Sequence, residues 1–333
     1  MESSSIGLDS TASGKERPRG VVVVIGEVLW DCFPDHRVLG GAPLNVAWNL
    51  RGFGFDPIFV SAVGDDDLGH EAIRQMQSWG LSTDAVQLIP GVPTGHVQVT
   101  FVDGEPAYDL VSDVAYDRIG MPSVEQLAQW ADRIEQAGSS VLYHGSLAFR
   151  CPDSRATIEG IREWWPTRGD VFLDINVRMP HFDQQWLERM GPGTSVLKLN
   201  EDEMAMLMGP IGEEDALDAA ASELFDDPRC PDLNTLLVTL GEHGAVAYCR
   251  SIPDPIRIAG VAAERFKDSV GAGDAFSSVV LACLSASNFT KTMDPSVIER
   301  SIQRATRFAS KVCGLPGATT VDAQFYSTEL DHE

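Results

Sequence analysis

The stretch DSVGAGDAF, residues 268–276, leads from a polar segment into a long apolar run over residues 273–287. The spacing of apolar residues in that run predicts an α-helix that begins near Gly273. Gly271 and Gly273 flank Ala272, so side chains leave the main-chain N–H groups at the helix start uncovered. Together with the positive end of the helix dipole, these groups predict a pocket for an anion such as a phosphoryl group in transit.

Asp274 follows these glycines directly and is a candidate catalytic base. A carboxylate at the positive end of a helix is expected to have a lowered pKa, which makes it a weak proton acceptor. Phosphoryl transfer tolerates a weak base, because the attacking hydroxyl loses its proton late in a loose transition state. The alternative is that Asp274 only stabilises the first helical turn and that the glycines form a tight connection.

Short β-branched runs alternate with helical patterns along most of the chain. Strands are predicted over residues 21–25, 58–63, 140–144, 171–175, 195–199 and 235–240. Helices are predicted over residues 43–54, 68–79, 153–165, 201–208, 273–287 and 295–312. The alternation predicts an α/β fold of three layers, in which a mainly parallel, Rossmann-like sheet has helices on both faces.

One stretch departs from this alternation. Residues 96–102 alternate with a period of two, Asp103-Gly104 predicts a turn, and a second strand follows over residues 107–111. The pattern predicts a small β-hairpin lid, with lid elements around residues 32–41 and 92–115. The alternative is a hairpin that only faces solvent. An exposed edge strand in the lid would allow two copies to form a homodimer.

The composition excludes several classes of partner. Acidic residues outnumber basic ones by 49 to 25, which gives a formal net charge of −24. Such a field repels nucleic acids and anionic membranes, and no apolar run approaches the roughly 20 residues of a membrane span. Residues 1–20 lack the apolar segment of a signal peptide and are predicted to be a disordered tail before one domain over residues 21–325. Six well-separated cysteines indicate reduced thiols and a cytoplasmic protein.

Three separated signatures resemble those of the ribokinase-like (PfkB) carbohydrate kinases. DSVGAGDAF differs from the family's Asp-Thr-x-Gly-Ala-Gly-Asp loop only by Ser269 in place of Thr. GGAPLNVA, residues 40–47, is similar to the N-terminal glycine signature, and VGDDDLG, residues 63–69, is similar to the loop that follows it. The resemblance runs from about residue 21 to residue 320. Residues 26–35, 40–50 and 104–119 resemble the bacterial fructokinases within this family.

The resemblance implies an activity and its catalytic residues. It implies ATP-dependent phosphorylation of a sugar primary hydroxyl, with D-fructose converted to fructose 6-phosphate, and Mg²⁺ as the cofactor. Asp274 would accept the proton, the amides of residues 271–273 would hold the phosphoryl group, and Arg178 would bring positive charge to it. The alternatives are a kinase of ribose, of a 2-keto-3-deoxy sugar acid or of a nucleoside, and a catalytically silent sugar-binding protein.

The resemblance also implies a sugar site. Its residues would be Asp31, Gly40, Gly41, Ala42, Asn45, Asn176 and Arg178. Asp31 follows the first predicted strand, at the edge where open α/β sheets bind ligands, and its carboxylate could accept two hydroxyl hydrogen bonds. The alternatives are a loop-capping role for Asp31 and an ordinary polar position in the first helical turn for Asn45.

The nucleotide and metal sites complete what the resemblance implies. The nucleotide would contact Asn200, Thr239, Gly241, Gly244, Gly271, Gly273, Ala305 and Phe308. Glu203 would hold Mg²⁺ through water, although the spacing of Asn200 and Glu203 also fits a helix capping box. Ala305 and Phe308 also fit a core-facing helical stripe. A monovalent cation such as K⁺ would bind at Asp268, Val270 and Gly317.

Overall fold

A large sheet organises the protein. The computed structural model describes residues 20–102, 105–165, 169–211, 214–287 and 294–327. Nearly all of the predicted tail and the predicted turn at Asp103-Gly104 lie outside these ranges. Within them, nine strands form the central sheet: β1 (Val21–Ile25), β4 (Ile58–Gly64), β5 (Val86–Ile89), β8 (Ser140–His144), β9 (Asp170–Asp174), β10 (Val196–Asn200), β11 (Thr235–Thr239), β12 (Gly244–Cys249) and β13 (Ile252–Ala259).

The order of the strands is β13-β12-β11-β10-β9-β8-β1-β4-β5. All strands from β11 to β5 run parallel, whereas β12 and β13 add an antiparallel edge. Parallel strands are buried on both faces, which explains the nearly continuous apolar sequence of β1 and β4. The predicted mainly parallel sheet is confirmed.

Alternate residues of each strand face two separate cores. Val22 and Val24 of β1 belong to one core, and Val21, Val23 and Ile25 belong to the other. On the first face lie helices α1 (Ala42–Gly52), α2 (Asp67–Trp79), α8 (Ala272–Ser287), α9 (Pro295–Val312) and α10 (Ala323–Tyr326). On the second face lie helices α3 (Val124–Ala137), α4 (Pro152–Trp164), α5 (Leu187–Met190), α6 (Glu201–Met208) and α7 (Glu214–Phe225). The predicted three layers are therefore present.

The lid is a second, smaller sheet. Its strands are β2 (Leu29–Cys32), β3 (Arg37–Gly40), β6 (Gly95–Val102) and β7 (Glu105–Leu110), in the order β3-β2-β6-β7. The predicted hairpin corresponds to β6 and β7, which pair antiparallel, and the parallel pairing of β2 with β6 joins a second hairpin to it. The second hairpin overlaps the lid element predicted around residues 32–41, and the first lies within the element predicted around residues 92–115.

The VGDDDLG segment ties the lid to the core. Asp66 caps α2 by accepting from the Gly69 N–H, and its carboxylate also accepts from Thr94, through the main-chain N–H at 2.8 Å and the hydroxyl at 2.6 Å. Thr94 directly precedes β6. A Cβ on Gly69 would lie 2.0 Å from the Gly64 carbonyl oxygen, so this tight connection requires glycine. The motif therefore forms a hinge between the core and the lid.

No helix within the described ranges has the length and apolar character needed to cross a lipid bilayer. None of the six cysteines, all of which lie within the described ranges, forms a disulfide bond.

The C-terminal segment closes one side of the first core. Tyr326 of α10 packs its ring 5.6 Å from that of Phe53 and 5.8 Å from that of Phe308. Its hydroxyl donates to Asn49 Oδ1 at 3.1 Å, and Trp48 Nε1 donates to the Thr320 carbonyl at 2.9 Å. The segment after residue 320 therefore anchors helix α1.

We expect Tyr326→Ala to lower the free energy of unfolding by about 3–5 kcal/mol, because it empties an aromatic position in a packed core. Tyr326→Phe keeps the ring and removes the hydroxyl hydrogen bonds, so the expected loss is about 1 kcal/mol. Urea unfolding followed by tryptophan fluorescence measures both. Val321→Ala is the control, because that side chain is 71% exposed. A Tyr326→Ala midpoint equal to that of the control would contradict the anchoring role.

Candidate active site

The predicted site residues lie at the carboxyl ends of the parallel strands. Asp31 follows β1, Asn176 follows β9, and Asn200 and Thr239 end β10 and β11. Crevices outside this edge bind ligands in open α/β sheets. Helix α1 follows β3 of the smaller sheet, and helix α8 follows β13 of the central sheet.

Asp274 joins the two glycine signatures. Asn45 Nδ2 of α1 donates to Asp274 Oδ2 of α8 at 2.8 Å, across 229 positions of sequence. Both residues are buried, and Asp274 is 7% exposed. The structure thus brings together residues 40–47 and 268–276, which the sequence analysis assigned to sugar binding and to catalysis.

The pKa of Asp274 differs from the sequence-based prediction. Burial raises it to about 6, the hydrogen bond from Asn45 opposes this rise, and the negative charge of Asp174 adds to it. The lowered pKa predicted from the helix dipole is wrong, because the loss of hydration at this position outweighs the dipole. A pKa near 6 makes Asp274 a stronger base than the sequence suggested.

A buried ion pair, which the sequence analysis missed, lies beside Asp274. Lys198 Nζ of β10 donates to Asp174 Oδ1 of β9 at 3.0 Å, and Ser277 Oγ donates to Asp174 Oδ2 at 2.8 Å. Burial acts to lower the pKa of Lys198, but the charges of Asp174 and Glu203 outweigh it and the pKa is raised. The ammonium therefore stays charged. Its signal in the sequence is a single basic residue inside the apolar strand VLKLN.

The anion loop brings main-chain amides and this ammonium together. Gly271 has a φ of 76°, and a Cβ there would lie 2.3 Å from the Cβ of Ala318. A Cβ on Gly273 would point at Lys198 Nζ, at 3.1 Å. Helix α8 begins at Ala272, one residue before the predicted start, and an α-helix leaves its first N–H groups without helical partners. The loop can therefore offer an anion both N–H donors and a full positive charge.

On the predicted sugar side, Asp31 lies close to Gly40. A Cβ on Gly40 would lie 3.2 Å from Asp31 Oδ2, so glycine leaves room for this carboxylate. Burial raises the pKa of Asp31, and the positive charge of Arg178 opposes the rise. The charge of Arg178 also acts to lower the pKa values of Glu27 and Asp274. Glu27 is a second residue that the sequence analysis did not single out.

The remaining predicted sugar residues border this group. Ala42 begins α1 directly after Gly41, and both lie beside Asp31 and Gly40 in the chain fold. Asn176 follows β9 with a φ of 46°, a left-handed conformation that asparagine adopts more readily than most residues. It is half-buried, between Asp174 and Arg178 in the sequence.

The carboxylate of Glu203 links the start of α6 to the segment that follows β9. Its Oε2 accepts from the Asn200 N–H at 2.8 Å, Asn200 Oδ1 accepts from the Glu203 N–H at 2.8 Å, and Oε1 accepts from the Val177 N–H at 2.7 Å. The alternative capping box is therefore present. In the described part of the chain, no three His, Cys, Asp or Glu side chains are grouped to ligate a metal directly. Mg²⁺ that retains its waters needs only one or two carboxylates, and Glu203 fits that requirement.

The residues predicted for the nucleotide include Thr239 at the end of β11 and two glycines in the turn that follows it. Thr239 Oγ1 donates to the Leu199 carbonyl at 3.4 Å, and Gly241 and Gly244 adopt φ values of 57° and 102° in the turn that follows β11. Ala305 and Phe308 are completely buried in the first core, so their assignment to the nucleotide site is wrong. The helix α9 packs against α8 and the edge strands β12 and β13, which agrees with the alternative interpretation of that pattern as a core-facing stripe.

Exposed apolar side chains do occur near the anion loop. Phe266 is 69% exposed, and Val270 is also exposed. Asp268 Oδ1 accepts from the Val270 N–H at 2.9 Å, and Gly317 directly precedes Ala318, which packs against Gly271. The three residues predicted for the monovalent cation thus belong to two adjacent loops.

A cavity of about 620 Å³ lies at the opposite, amino edge of β9, β10 and β11. Arg162 and Arg250 line it, but they donate to main-chain carbonyls of Met190 and Leu233. Its lining includes none of the predicted site residues, so the catalytic edge remains the candidate site.

Comparison with known proteins agrees with this geometry. The family model for pfkB family carbohydrate kinases matches residues 24–324. Fructokinase-2 of Solanum habrochaites is 27% identical over 317 residues, which cover 89% of this chain and 89% of that protein. The fructokinase of Solanum tuberosum is 27% identical over 319 residues, with 91% of each chain covered.

Two solved structures share the fold. The fructokinase from Vibrio cholerae O395 in a form with bound fructose, ADP and calcium ion matches with a TM-score of 0.74 and 21% identity, over 93% of this chain and 99% of that one. Aminoimidazole riboside kinase from Salmonella enterica, complexed with aminoimidazole riboside and an ATP analog, matches with a TM-score of 0.75 and 20% identity, also over 93% and 99%. The family predicted from the three signatures is confirmed: the chain belongs to the pfkB family of carbohydrate kinases.

Proposed function

We propose that this carbohydrate kinase transfers the γ-phosphoryl group of ATP to a primary hydroxyl of a neutral sugar, D-fructose in the first place. The buried contact between Asn45 and Asp274, next to the anion loop and Lys198, is the observation that carries the proposal. It joins a sugar-binding amide, a base with a pKa of about 6 and a phosphate site in one place. The name fructokinase among the relatives supports fructose as the sugar.

The sugar would bind between the lid and the core. Asp31 on β2 of the lid would accept two hydroxyl hydrogen bonds, while Asn45 and the backbone at Gly41 would contact the sugar from the core. Asn45 would thereby hold the acceptor hydroxyl close to Asp274. Closing the lid over this pocket excludes water, which would otherwise attack ATP.

Transfer would then proceed in line. The sugar oxygen forms a bond to the γ-phosphorus, the bond from that phosphorus to the β–γ bridging oxygen breaks, and the hydroxyl proton passes to Asp274 Oδ1 or Oδ2. The amides of residues 271–273 and the ammonium of Lys198 would stabilise the charge on the phosphoryl oxygens. Bound Mg²⁺ would neutralise phosphate charge, and Glu203 with Asn200 would hold it through water.

A panel of acceptors tests the substrate. Fructose, ribose, a 2-keto-3-deoxy sugar acid and a nucleoside are compared in a coupled assay of ADP release, with and without K⁺. We expect the highest kcat/KM with fructose. Preference for another acceptor would reassign the substrate within the family, whereas tight sugar binding without ADP release would support a silent sugar-binding protein.

Asp274→Asn tests the base. We expect kcat to fall by about 10²–10⁴-fold, because the amide keeps the shape of the side chain and cannot accept the proton. In the wild type, kcat should fall as pH decreases through about 6, since Asp274 then becomes protonated. Steady-state kinetics at several pH values measure both effects.

Asp294→Asn, at the exposed N-cap of α9, makes the same chemical change far from the site. It should leave kcat and the pH profile unchanged. Near-wild-type turnover in Asp274→Asn would refute the catalytic assignment.

Lys198→Met tests the charge beside the anion loop. We expect kcat to fall by about 10²-fold or more, because phosphoryl charge loses its cation. The variant also leaves Asp174 buried without a counter-ion, so its free energy of unfolding should fall by about 3–5 kcal/mol. The double variant Asp174→Asn/Lys198→Met removes both charges and should regain most of that stability while staying slow. A double variant with wild-type kcat would show that the ion pair is purely structural.

A further inference from the structure

Helix α1 carries Asn45, but its own sequence provides no side-chain cap. The N-cap residue is Gly41, which has no side chain to accept a hydrogen bond, and no acidic residue lies in the first turn. An α-helix start has bare N–H groups and a partial positive charge, which a carboxylate stabilises. A carboxylate from another part of the chain can therefore stabilise this helix start.

Glu27 is the carboxyl residue at this position. It lies between β1 and β2, is 5% exposed, and packs directly against the start of α1. A Cβ on Gly41 would lie 2.6 Å from the Glu27 carbonyl oxygen and 3.3 Å from its Cγ. Gly41 also has a φ of 113°, so glycine is required both by conformation and by the closeness of Glu27.

Other charged groups also act on the carboxyl group of Glu27. Positive charge on Arg178 and the Ala42 N–H lower the pKa of Glu27, whereas burial, the largest cause, and the charge of Asp274 raise it to about 7. Glu27 also affects two more titratable groups. Its negative charge contributes to the raised pKa values of Tyr116 and Tyr143. Both phenols stay protonated at neutral pH, so Arg178 is the cation among these neighbours.

We propose that ionised Glu27 is a positioning residue, which binds the start of α1 and so keeps Asn45 against Asp274. The inference rests on the proposed function, because it assigns Asn45 and Asp274 the roles given above.

Removing the charge of Glu27 changes the stability of the fold, and the sign of that change distinguishes a positioning role from a structural one. A carboxyl whose folded pKa is raised above its unfolded value destabilises the fold as pH rises from the unfolded pKa through the folded one. For Glu27 this window runs from 4.5 to about 7. Above it, removing the charge should stabilise the protein and impair sugar binding.

Glu27→Gln tests the proposal, because the amide keeps the size and one acceptor oxygen. At pH 8 we expect the sugar KM to rise about tenfold, the ATP KM to change less than about twofold, and Tm to rise by about 2 °C or more. In the wild type the sugar KM should rise as pH falls through 7, whereas in Glu27→Gln it should not depend on pH in that range. The sugar is the best acceptor of the panel, so the comparison does not depend on its being fructose.

Two further variants complete the test. Glu135→Gln, an exposed position on α3, is the matched control and should change neither KM nor Tm. Glu27→Asp keeps the charge but shortens its reach, so the sugar KM should rise while its pH dependence persists. An unchanged sugar KM in Glu27→Gln, or a raised KM together with a lowered Tm, would overturn the proposal. Wild-type protein that phosphorylates no acceptor would refute the proposed function, and the sign of the Tm change would still test Glu27.

Discussion

The hydrogen bond between Asn45 and Asp274 fixes the relation between two helices that start far apart in the sequence. It works because both groups are buried, so water does not compete for the donor or the acceptor. The start of α8 determines where the anion loop lies, and the start of α1 determines where the glycine signature lies. The sites predicted for the phosphate and for the sugar therefore meet at this contact of 2.8 Å, where α1 packs against α8.

Around this contact, two positively charged side chains partly compensate the negative charge of buried carboxyl groups. In a chain with a net charge of −24, the ammonium of Lys198 and the guanidinium of Arg178 act on several buried carboxyl groups at this edge of the sheet. Lys198 donates to Asp174, whereas the charge of Arg178 acts to lower the pKa values of Glu27, Asp31 and Asp274. The carboxyl groups without a full counter-ion have raised pKa values, because nearby positive charges only partly offset the effect of burial. Such a site contains carboxylate bases whose pKa values lie near neutral pH, without a histidine.

The local patterns of the sequence predicted the frame of the protein and the ends of its main elements. Helix α8 begins one residue from the predicted position, and α2 ends at Trp79 as predicted. Helices α3 and α7 and strands β5, β12 and β13 were not predicted. The other errors concern interactions between distant residues. Neither the pKa of Asp274 nor the pairing of Lys198 with Asp174 could be obtained from spacing, since both depend on which strands become neighbours. Spacing also could not predict the pairing of β2 with β6, which lie more than sixty positions apart. Nor could it predict that the ring of Phe308 packs against that of Phe53.

The residues assigned to the sugar come from two sheets that meet at a hinge. Asp31 belongs to the four-stranded sheet, whereas Asn45 and Arg178 belong to the core, and Asp66 with Thr94 connects the two bodies. A ligand that contacts both the four-stranded sheet and the core links these two parts of the protein. Its binding energy is divided between holding the molecule and orienting one sheet on the other, so a substitution at Thr94 would alter apparent affinity from a position that never touches the ligand.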